Sequence, residues 1–193
     1  GRDGAGVIEQ APEGSGFTPG DRVMLLRSEV GVQRDGTLAE YVTVPVESLA
    51  PIPEGWSDEE GAAGGLVQLT AWQALVTEGG LDPNGAEGRN VLISGASGGV
   101  GTAAVIQARA MGARVIALSR SEEKRRVLES LGAHLTFDSE APDLVDRVKE
   151  ALGGSKVDVV VDNLAGPYMD RYIAMCGFRA RICTVGMLAG VQV

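Results

Sequence analysis

The chain has 193 residues, 44% apolar and only 4% aromatic, with 28 glycines and a formal net charge of −9. That length supports a packed core of one large domain, or one and a half. There is no broad basic face for nucleic acid or an anionic membrane surface, and no apolar run of membrane-spanning length, so both partners are excluded.

Two cysteines, Cys176 and Cys183, and one histidine, His134, do not make a disulfide framework, and the reducing cytoplasm is the default compartment. A closed zinc site needs about four N or S ligands and a catalytic one about three protein ligands. These three side chains, without ligand spacing, cannot supply both. They read instead as two small buried hydrophobes and a histidine on a helix-to-strand turn. The chain opens Gly1-Arg2-Asp3-Gly4 without a Met or signal peptide and closes Gly190-Val191-Gln192-Val193 without a helix stop. Both ends are therefore expected to be cut from something longer.

In chain order, residues 1–55 read as β. Gly6 to Gln10 is a short strand, Gly14 to Asp21 a turn rich in Gly, Ser, Thr and Pro, and Arg22 to Leu26 a second strand. Gly36 to Val44 follows a turn signal with β-branched and aromatic enrichment and is expected to be a third strand. Pro45, Pro51 and Pro53 punctuate the exit. Ser57-Asp58-Glu59-Glu60 opens a helix as a capping box, Ser57 at the N-cap and Glu60 at the third helical position. The helix runs to Leu75, and Gly79-Gly80 stops it.

From Asn90 the pattern alternates strand and helix. Val91 to Ser94 has the unbroken apolar character of a strand buried on both faces. A glycine loop and a helix to Met111 follow, then strand Arg114 to Leu118, a charged helix Ser121 to Leu131, and strand Leu135 to Phe137. Helix Pro142 to Leu152, strand Val157 to Val161, helix Pro167 to Cys176 and strand Ala180 to Val185 complete the series. Alternation of this kind specifies a parallel sheet with right-handed crossovers.

Gly95-Ala96-Ser97-Gly98-Gly99-Val100-Gly101 joins the first of these strands to its helix. A tight turn, a backbone approaching a pyrophosphate, and a helix packed near the strand each favour glycine. The helix N-terminus presents free N–H groups and the positive end of its dipole to phosphates. The loop is thus a dinucleotide-binding candidate, with a structural glycine turn as the alternative. The backbone of Ser97, Gly98, Gly99 and Val100 is the expected pyrophosphate grip.

A dinucleotide site for NAD usually ends its second strand in Asp or Glu, which holds the ribose 2′-hydroxyl and would repel a 2′-phosphate. Here that strand ends Leu118-Ser119-Arg120-Ser121, with Lys124 one helical turn later. Ser119 offers a neutral hydroxyl, Arg120 a planar fork and Lys124 a point charge. These side chains favour NADPH over NADH. In the other reading, Arg120 and Lys124 only pair with Glu122 or Glu123.

The joint order of these pieces resembles the medium-chain dehydrogenase/reductase superfamily, in its zinc-free NADPH:quinone oxidoreductase-like branch. Gly1 to Val7 looks like the family's first motif, Pro19-Gly20-Asp21-Arg22-Val23 like its turn, and Gly36-Thr37-Leu38-Ala39-Glu40-Tyr41-Val42 like its "GxxAEY" strand. Leu69-Thr70-Ala71-Trp72 resembles the segment between the two domains. Gly95 to Gly101 is the reductase form of the glycine loop, and Asp162-Asn163 with Gly166, and Val185-Gly186, match the ends of strands four and five. Where the zinc-dependent members carry a His ligand and then a Glu, this chain has Arg2 and Asp3, and Gly31 to Gly36 is short and lacks the structural-zinc cysteines. Alcohol oxidation is disfavoured without a Lewis acid for the alkoxide, whereas hydride addition to an electron-poor acceptor stays open.

The resemblance implies an α/β fold: a Rossmann-type doubly wound parallel sheet preceded by part of a GroES-like β domain. Residues 1–56 would be the partial GroES-like substrate domain and 57–193 the dinucleotide-binding domain, its C-terminal part missing. It implies hydride transfer from NADPH to a quinone or an activated C=C bond, a homodimer joined through cofactor-domain strands, and no metal. Asn163 would approach the ribose or pyrophosphate, Gly186 and Met187 would line the nicotinamide, and Thr70 would lie on the nicotinamide side or else only bond the preceding helical turn. Ser139 departs from related NADPH enzymes, which often place a Tyr there over the adenine. Tyr41 reads as packing in the β half, Asp3 as fixing a turn and Trp72 as core, so no general acid is assigned. An enoyl-thioester reductase of the same superfamily, including polyketide synthase modules, is the alternative enzyme, and a non-catalytic NADPH-binding protein the alternative of another class. A short-chain dehydrogenase is disfavoured because the Tyr-xxx-Lys pair is absent: Tyr168 and Tyr172 are followed four places on by Tyr172 and Cys176.

Overall fold

A computed structural model describes residues 1–26 and 29–190. The close of the sequence at Val191–Val193, which carries no helix stop, lies outside the described residues. The chain divides into two compact units, Gly1–Leu69 and Thr70–Val193.

In the first unit, β1 (Ala5–Val7), β2 (Arg22–Leu25) and β3 (Leu49–Pro51) form an antiparallel sheet in that order. Gly6 lies opposite Val23, and Met24 opposite Ala50. The turn before β2 is closed by Asp21, whose Oδ2 accepts the Thr18 N–H at 2.7 Å, with Gly20 at φ +97°. The β3 strand follows a single 3-10 turn, Val46–Ser48, and was not expected. Pro51 is compatible with it because it ends an edge strand, where no donor is needed.

The segment 36–44 is not a strand, contrary to the sequence reading. Leu38 is 92% and Tyr41 77% exposed, so Tyr41 does not pack in this unit either. β propensity expresses a fit to a pleated, half-buried surface, and among the described residues this segment has no ladder partner. Asp3 engages the turn through its main-chain carbonyl, which accepts the Thr37 hydroxyl, rather than through its carboxylate.

Helix α1 (Asp58–Trp72) begins as its sequence dictates. The Ser57 N–H donates to Glu60 Oε2 at 2.8 Å and the Glu60 N–H to Ser57 Oγ at 3.2 Å, the reciprocal capping box. Arg22 then ties the helix start to β2, donating to Asp58 Oδ1 at 2.6 and 2.9 Å and to the Trp56 carbonyl at 3.1 Å. Trp72 is 43% exposed and is not core. Apolar and small residues surround α1 almost evenly, so its pattern offers no cue to which side turns inward. The helix continues as a π-helical stretch, Gln73–Glu78, ended by Gly79 and by Gly80 at φ +67°.

The second unit is a five-stranded parallel sheet in the order β6-β5-β4-β7-β8. Its strands are β4 (Asn90–Ile93), β5 (Arg114–Leu118), β6 (Leu135–Phe137), β7 (Val157–Asp162) and β8 (Cys176–Thr184). The connecting helices are α2 (Gly99–Ala110), α3 (Glu122–Ser130), α4 (Leu144–Ala151) and α5 (Met169–Met175). The strand order reverses between β4 and β7, which makes the ends of those strands a topological switch point. The core is largely aliphatic, with two aromatic rings: Leu92, Ile116, Leu118, Phe137 and Val160 from the sheet meet Leu144, Val148, Leu152, Tyr172 and Met175 from the helices.

Several boundaries move: β1 is Ala5–Val7 rather than Gly6 to Gln10, and α4 starts at Leu144 rather than Pro142. α5 starts after a 3-10 turn at Gly166–Tyr168 rather than at Pro167, because Gly166 at φ +64° delays the α conformation. β8 starts at Cys176 rather than Ala180, and its pairing with β7 shifts register between Val157 and Val159. Cys176 and Cys183 both lie on β8 and are half-buried, not fully buried as expected. The reason is position: among the described residues β8 has only β7 beside it. Burial still pushes both thiol pKa values up. His134 sits on the turn into β6 as expected, its Nδ1 accepting the Val115 N–H at 3.0 Å.

Candidate nucleotide-binding site

The carboxyl end of the sheet gathers three turns from distant parts of the sequence. The first is the glycine loop. Gly95 takes φ +54°, and a Cβ on Gly101 would lie 2.6 Å from both Ala96 Cα and Gly95 O. Only glycine lets α2 start this close to β4. The N-cap of α2 is Gly98, which provides no side-chain cap. Gly98 and Gly99 are exposed, and Ser97 and Val100 are half-buried. The Gly98 N–H is committed within the loop, donating to the Gly95 carbonyl at 3.0 Å; the remaining backbone at the start of this three-turn helix is a fitting cradle for a pyrophosphate.

The second turn leaves β5. Ser119 is buried and its hydroxyl lies 3.4 Å from Ser97 Oγ, so the end of the second strand touches the glycine loop. Arg120 is exposed. Ser121 caps α3, its Oγ accepting the Lys124 N–H at 3.3 Å. The alternative of ion pairs within this turn is not realised among the described residues. Glu122 pairs with Arg126 at 2.6 Å, and no ion pair holds Arg120 or Lys124. Two cations therefore stand at the end of the second strand with no carboxylate bound to them.

The third turn leaves β7 and was only partly legible. Asp162 is fully buried, and its Oδ1 accepts the Ser94 hydroxyl at 2.6 Å and the N–H groups of Leu164 and Ala165 at 3.0 and 3.2 Å. Asn163 donates its own N–H to Ser94 Oγ at 2.9 Å and its side-chain amide to the Ser94 carbonyl at 2.8 Å. These bonds clamp the ends of β4 and β7 directly beneath the glycine loop. They also commit the Asn163 NH2 to the fold, leaving its Oδ1 as the group that could meet a ligand. The Tyr172 hydroxyl is buried and has no hydrogen-bond partner among the described residues. It feels Ser94 and Asp162 nearby, but burial dominates and pushes its pKa well up.

Gly186 belongs to this cluster. Its N–H donates to the Asp162 carbonyl at 3.3 Å, and a Cβ there would stand 2.7 Å from the Asn163 carbonyl. Met187 follows it on the surface, 61% exposed. Thr70 is placed elsewhere, in a cleft of about 610 Å³ between the π-helical stretch and β8, with Gln73, Glu78, Arg181, Thr184 and Val185. None of the glycine-loop residues lines that cleft.

Sequence reasoning missed Arg125. It is half-buried, and its Nη1 donates to the Ser119 carbonyl at 2.8 Å and the Arg120 carbonyl at 3.0 Å. The only signal was its place after Lys124 in a helix start already crowded with charge. Among the described residues no group of three or more His, Cys, Asp or Glu could hold a metal ion, and no helix is long and apolar enough to cross a membrane.

Known proteins resemble this chain. Residues 1–54 match the family model described as "Alcohol dehydrogenase GroES-like domain" and residues 99–193 the one described as "Zinc-binding dehydrogenase". The chain is 30% identical to human quinone oxidoreductase over 194 residues, which is all of this chain and 56% of that protein. It is 36% identical over 151 residues to a phenolphthiocerol/phthiocerol polyketide synthase of Mycobacterium tuberculosis, or 78% of this chain and 7% of that one. The crystal structure of Escherichia coli quinone oxidoreductase complexed with NADPH aligns with a TM-score of 0.80 at 27% identity, covering 99% of this chain and 56% of that one. The chain thus spans about half the length of the quinone oxidoreductases it matches. Both family models in their order, the sheet topology and these relatives place it: the chain belongs to the medium-chain dehydrogenase/reductase superfamily, in its quinone oxidoreductase-like branch.

Proposed function

We propose that this chain carries the NADPH-binding portion of an oxidoreductase that reduces a quinone or an electron-poor C=C bond without zinc. The single observation that carries the reading is the end of β5, where Ser119, Arg120 and Lys124 stand in place of the ribose-binding carboxylate and Glu122 is drawn off by Arg126. A dianionic 2′-phosphate suits that arrangement, and a bare ribose hydroxyl gains nothing from it.

The main-chain N–H groups of Ser97, Gly99 and Val100 would hold the pyrophosphate at the start of α2, with Gly98 shaping the loop through its bond to the Gly95 carbonyl. Ser119, Arg120 and Lys124 would hold the 2′-phosphate. The Ser94–Asp162–Asn163 clamp would keep the glycine loop rigid and leave Asn163 Oδ1 for the ribose or pyrophosphate. Gly186 would let the loop after β8 pass close to that clamp, and Met187 would offer an apolar contact to the nicotinamide. When bound, NADPH supplies the hydride, and the chain's work is to bind and orient it. Thr70 would face the nicotinamide side only from a different cleft, the one lined by Gln73 and Arg181. We further propose a cytoplasmic homodimer, on the family likeness.

Titrating the full protein with NADPH and NADH tests the reading. Tighter binding of NADPH by about tenfold or more is expected from even one charge-assisted contact to the 2′-phosphate. Equal affinity would overturn the NADPH assignment, and no uptake of either would overturn the whole reading. The likeness to a polyketide synthase favours a second reading, an enoyl-thioester reductase. NADPH oxidation with a simple quinone and with an enoyl thioester separates the two. Tight binding with neither substrate consumed would identify a non-catalytic nucleotide-binding protein.

A further inference from the structure

We propose that Arg125 is a positioning residue that sets the preference for a 2′-phosphorylated nucleotide by holding the β5–α3 turn in shape, an inference that rests on the NADPH reading above. Arg125 is the fourth residue of α3, and helical side chains lean toward the N-terminus. Its guanidinium accordingly reaches back to the carbonyls of Ser119 and Arg120 through one nitrogen, Nη1, at 2.8 and 3.0 Å. These are the two residues whose side chains would meet the phosphate. With both carbonyls bonded to Arg125, the turn is held at both residues. Ser119 stays against Ser97 of the glycine loop, and Arg120 projects outward.

The electrostatics point the same way. The first turn of a helix favours carboxylates and disfavours cations, because the dipole is positive there. α3 begins with Glu122 and Glu123 as that rule asks, but then places Lys124 and Arg125 in the same turn, beside Arg120. Arg126 is neutralised by Glu122 at 2.6 Å, one turn back. Arg125 has no carboxylate among the described residues and is instead half-buried on main-chain oxygens. A cation kept at the wrong end of a helix without a counter-charge is accounted for if an anion binds beside it, and the bonds to the two carbonyls fix where that anion is received.

Two nucleotide fragments isolate the subsite: 2′,5′-ADP carries the 2′-phosphate and 5′-AMP does not. The quantity to measure is the ratio of their dissociation constants in the full protein and in Arg125→Met and Arg125→Lys. Methionine removes both bonds. Lysine keeps the charge, but its nitrogen ends one bond nearer the backbone and falls short of the paired carbonyls. Both variants are expected to lose the preference for 2′,5′-ADP, the ratio of the two dissociation constants falling by at least about fivefold, each tenfold corresponding to about 1.4 kcal/mol. If Arg125→Lys keeps the parent ratio, the role is charge alone and the proposal falls. An equal weakening of both fragments would mark Arg125 as merely structural and overturn it too. Should Arg125→Met fail to fold, Arg125→Lys decides. A parent protein that does not distinguish the two fragments would instead sink the NADPH reading itself.

Discussion

Ser97 and Ser119 are 22 residues apart in sequence, yet their hydroxyls lie 3.4 Å apart, so the glycine loop and the turn after β5 share one small wall. Substitutions there should separate by ligand. Removing the cations with Arg120→Ala and Lys124→Ala should weaken NADPH by roughly tenfold each while leaving NADH within about twofold, since a charge-assisted bond contributes about 1.5–3 kcal/mol. Fluorescence titration of both nucleotides reads this directly. Gly101→Ala should behave differently. Its Cβ would meet backbone atoms at 2.6 Å, which cannot move aside as a side chain would, so destabilisation of about 1–3 kcal/mol is expected. Both nucleotides should then weaken together, and a thermal melt beside the titration would show the cause.

His134 gives a residue-scale prediction about pH. Its pKa is lowered, first by burial and then by the Arg109 and Arg114 guanidinium groups near it. The folded state therefore holds the imidazole neutral below the pH at which the unfolded chain protonates it. In the window between the folded value and the ordinary value of about 6.5, the unfolded state binds more protons, so stability falls as pH drops through that window. Replacing His134 with Gln should flatten the dependence of Tm on pH as pH falls below about 6.5. An unchanged slope would mean that other groups set it.

At the scale of elements, the capping box at Ser57 shows which signals carry. Ser-x-x-Glu before a run of small and apolar residues predicts a helix start, and both reciprocal bonds are present. Ser57→Ala should cost about 1 kcal/mol, lowering Tm by about 2–4 °C for a chain of this size. The βα half was legible for the same kind of reason. A buried parallel strand needs an unbroken apolar run, and a helix against it needs a 3.6-residue stripe, so β4 to β7 and α2 to α4 could be placed to within a few residues. The β half was less legible, because a strand is defined by its partner. Residues 36–44 have the composition of a strand and, among the described residues, no ladder, while Leu49–Pro51, with a proline in it, pairs with β2. In the site, the glycine loop and the cations were legible because their chemistry lies within one stretch of chain. The Arg125 contacts and the Ser94–Asp162–Asn163 clamp were not, because they depend on carbonyls that a turn aims and on strands 68 residues apart in sequence.

For the molecule as a whole, the charge distribution sets an apparent contradiction that binding should resolve. The net charge is −9, and the proposed ligand is itself a polyanion, so the far field opposes association. Arg120, Lys124 and Arg125 concentrate positive charge at one end of the sheet, and a 2′-phosphate received there, as proposed, would lie within a Debye length, about 8–10 Å at ordinary ionic strength. Short-range attraction there should outweigh the screened repulsion of distant carboxylates. A ligand that binds only the folded state stabilises it by mass action, by about 2.7 kcal/mol at a hundredfold excess over Kd. NADPH at that excess should therefore raise Tm on the order of 5–10 °C, and NADH at the same concentration should raise it less. The Arg120→Ala, Lys124→Ala double variant should bring the two shifts together. Equal shifts in the parent protein would show that the cationic end of β5 is only a solvated helix start, and the preference for a phosphorylated nucleotide would have to be abandoned.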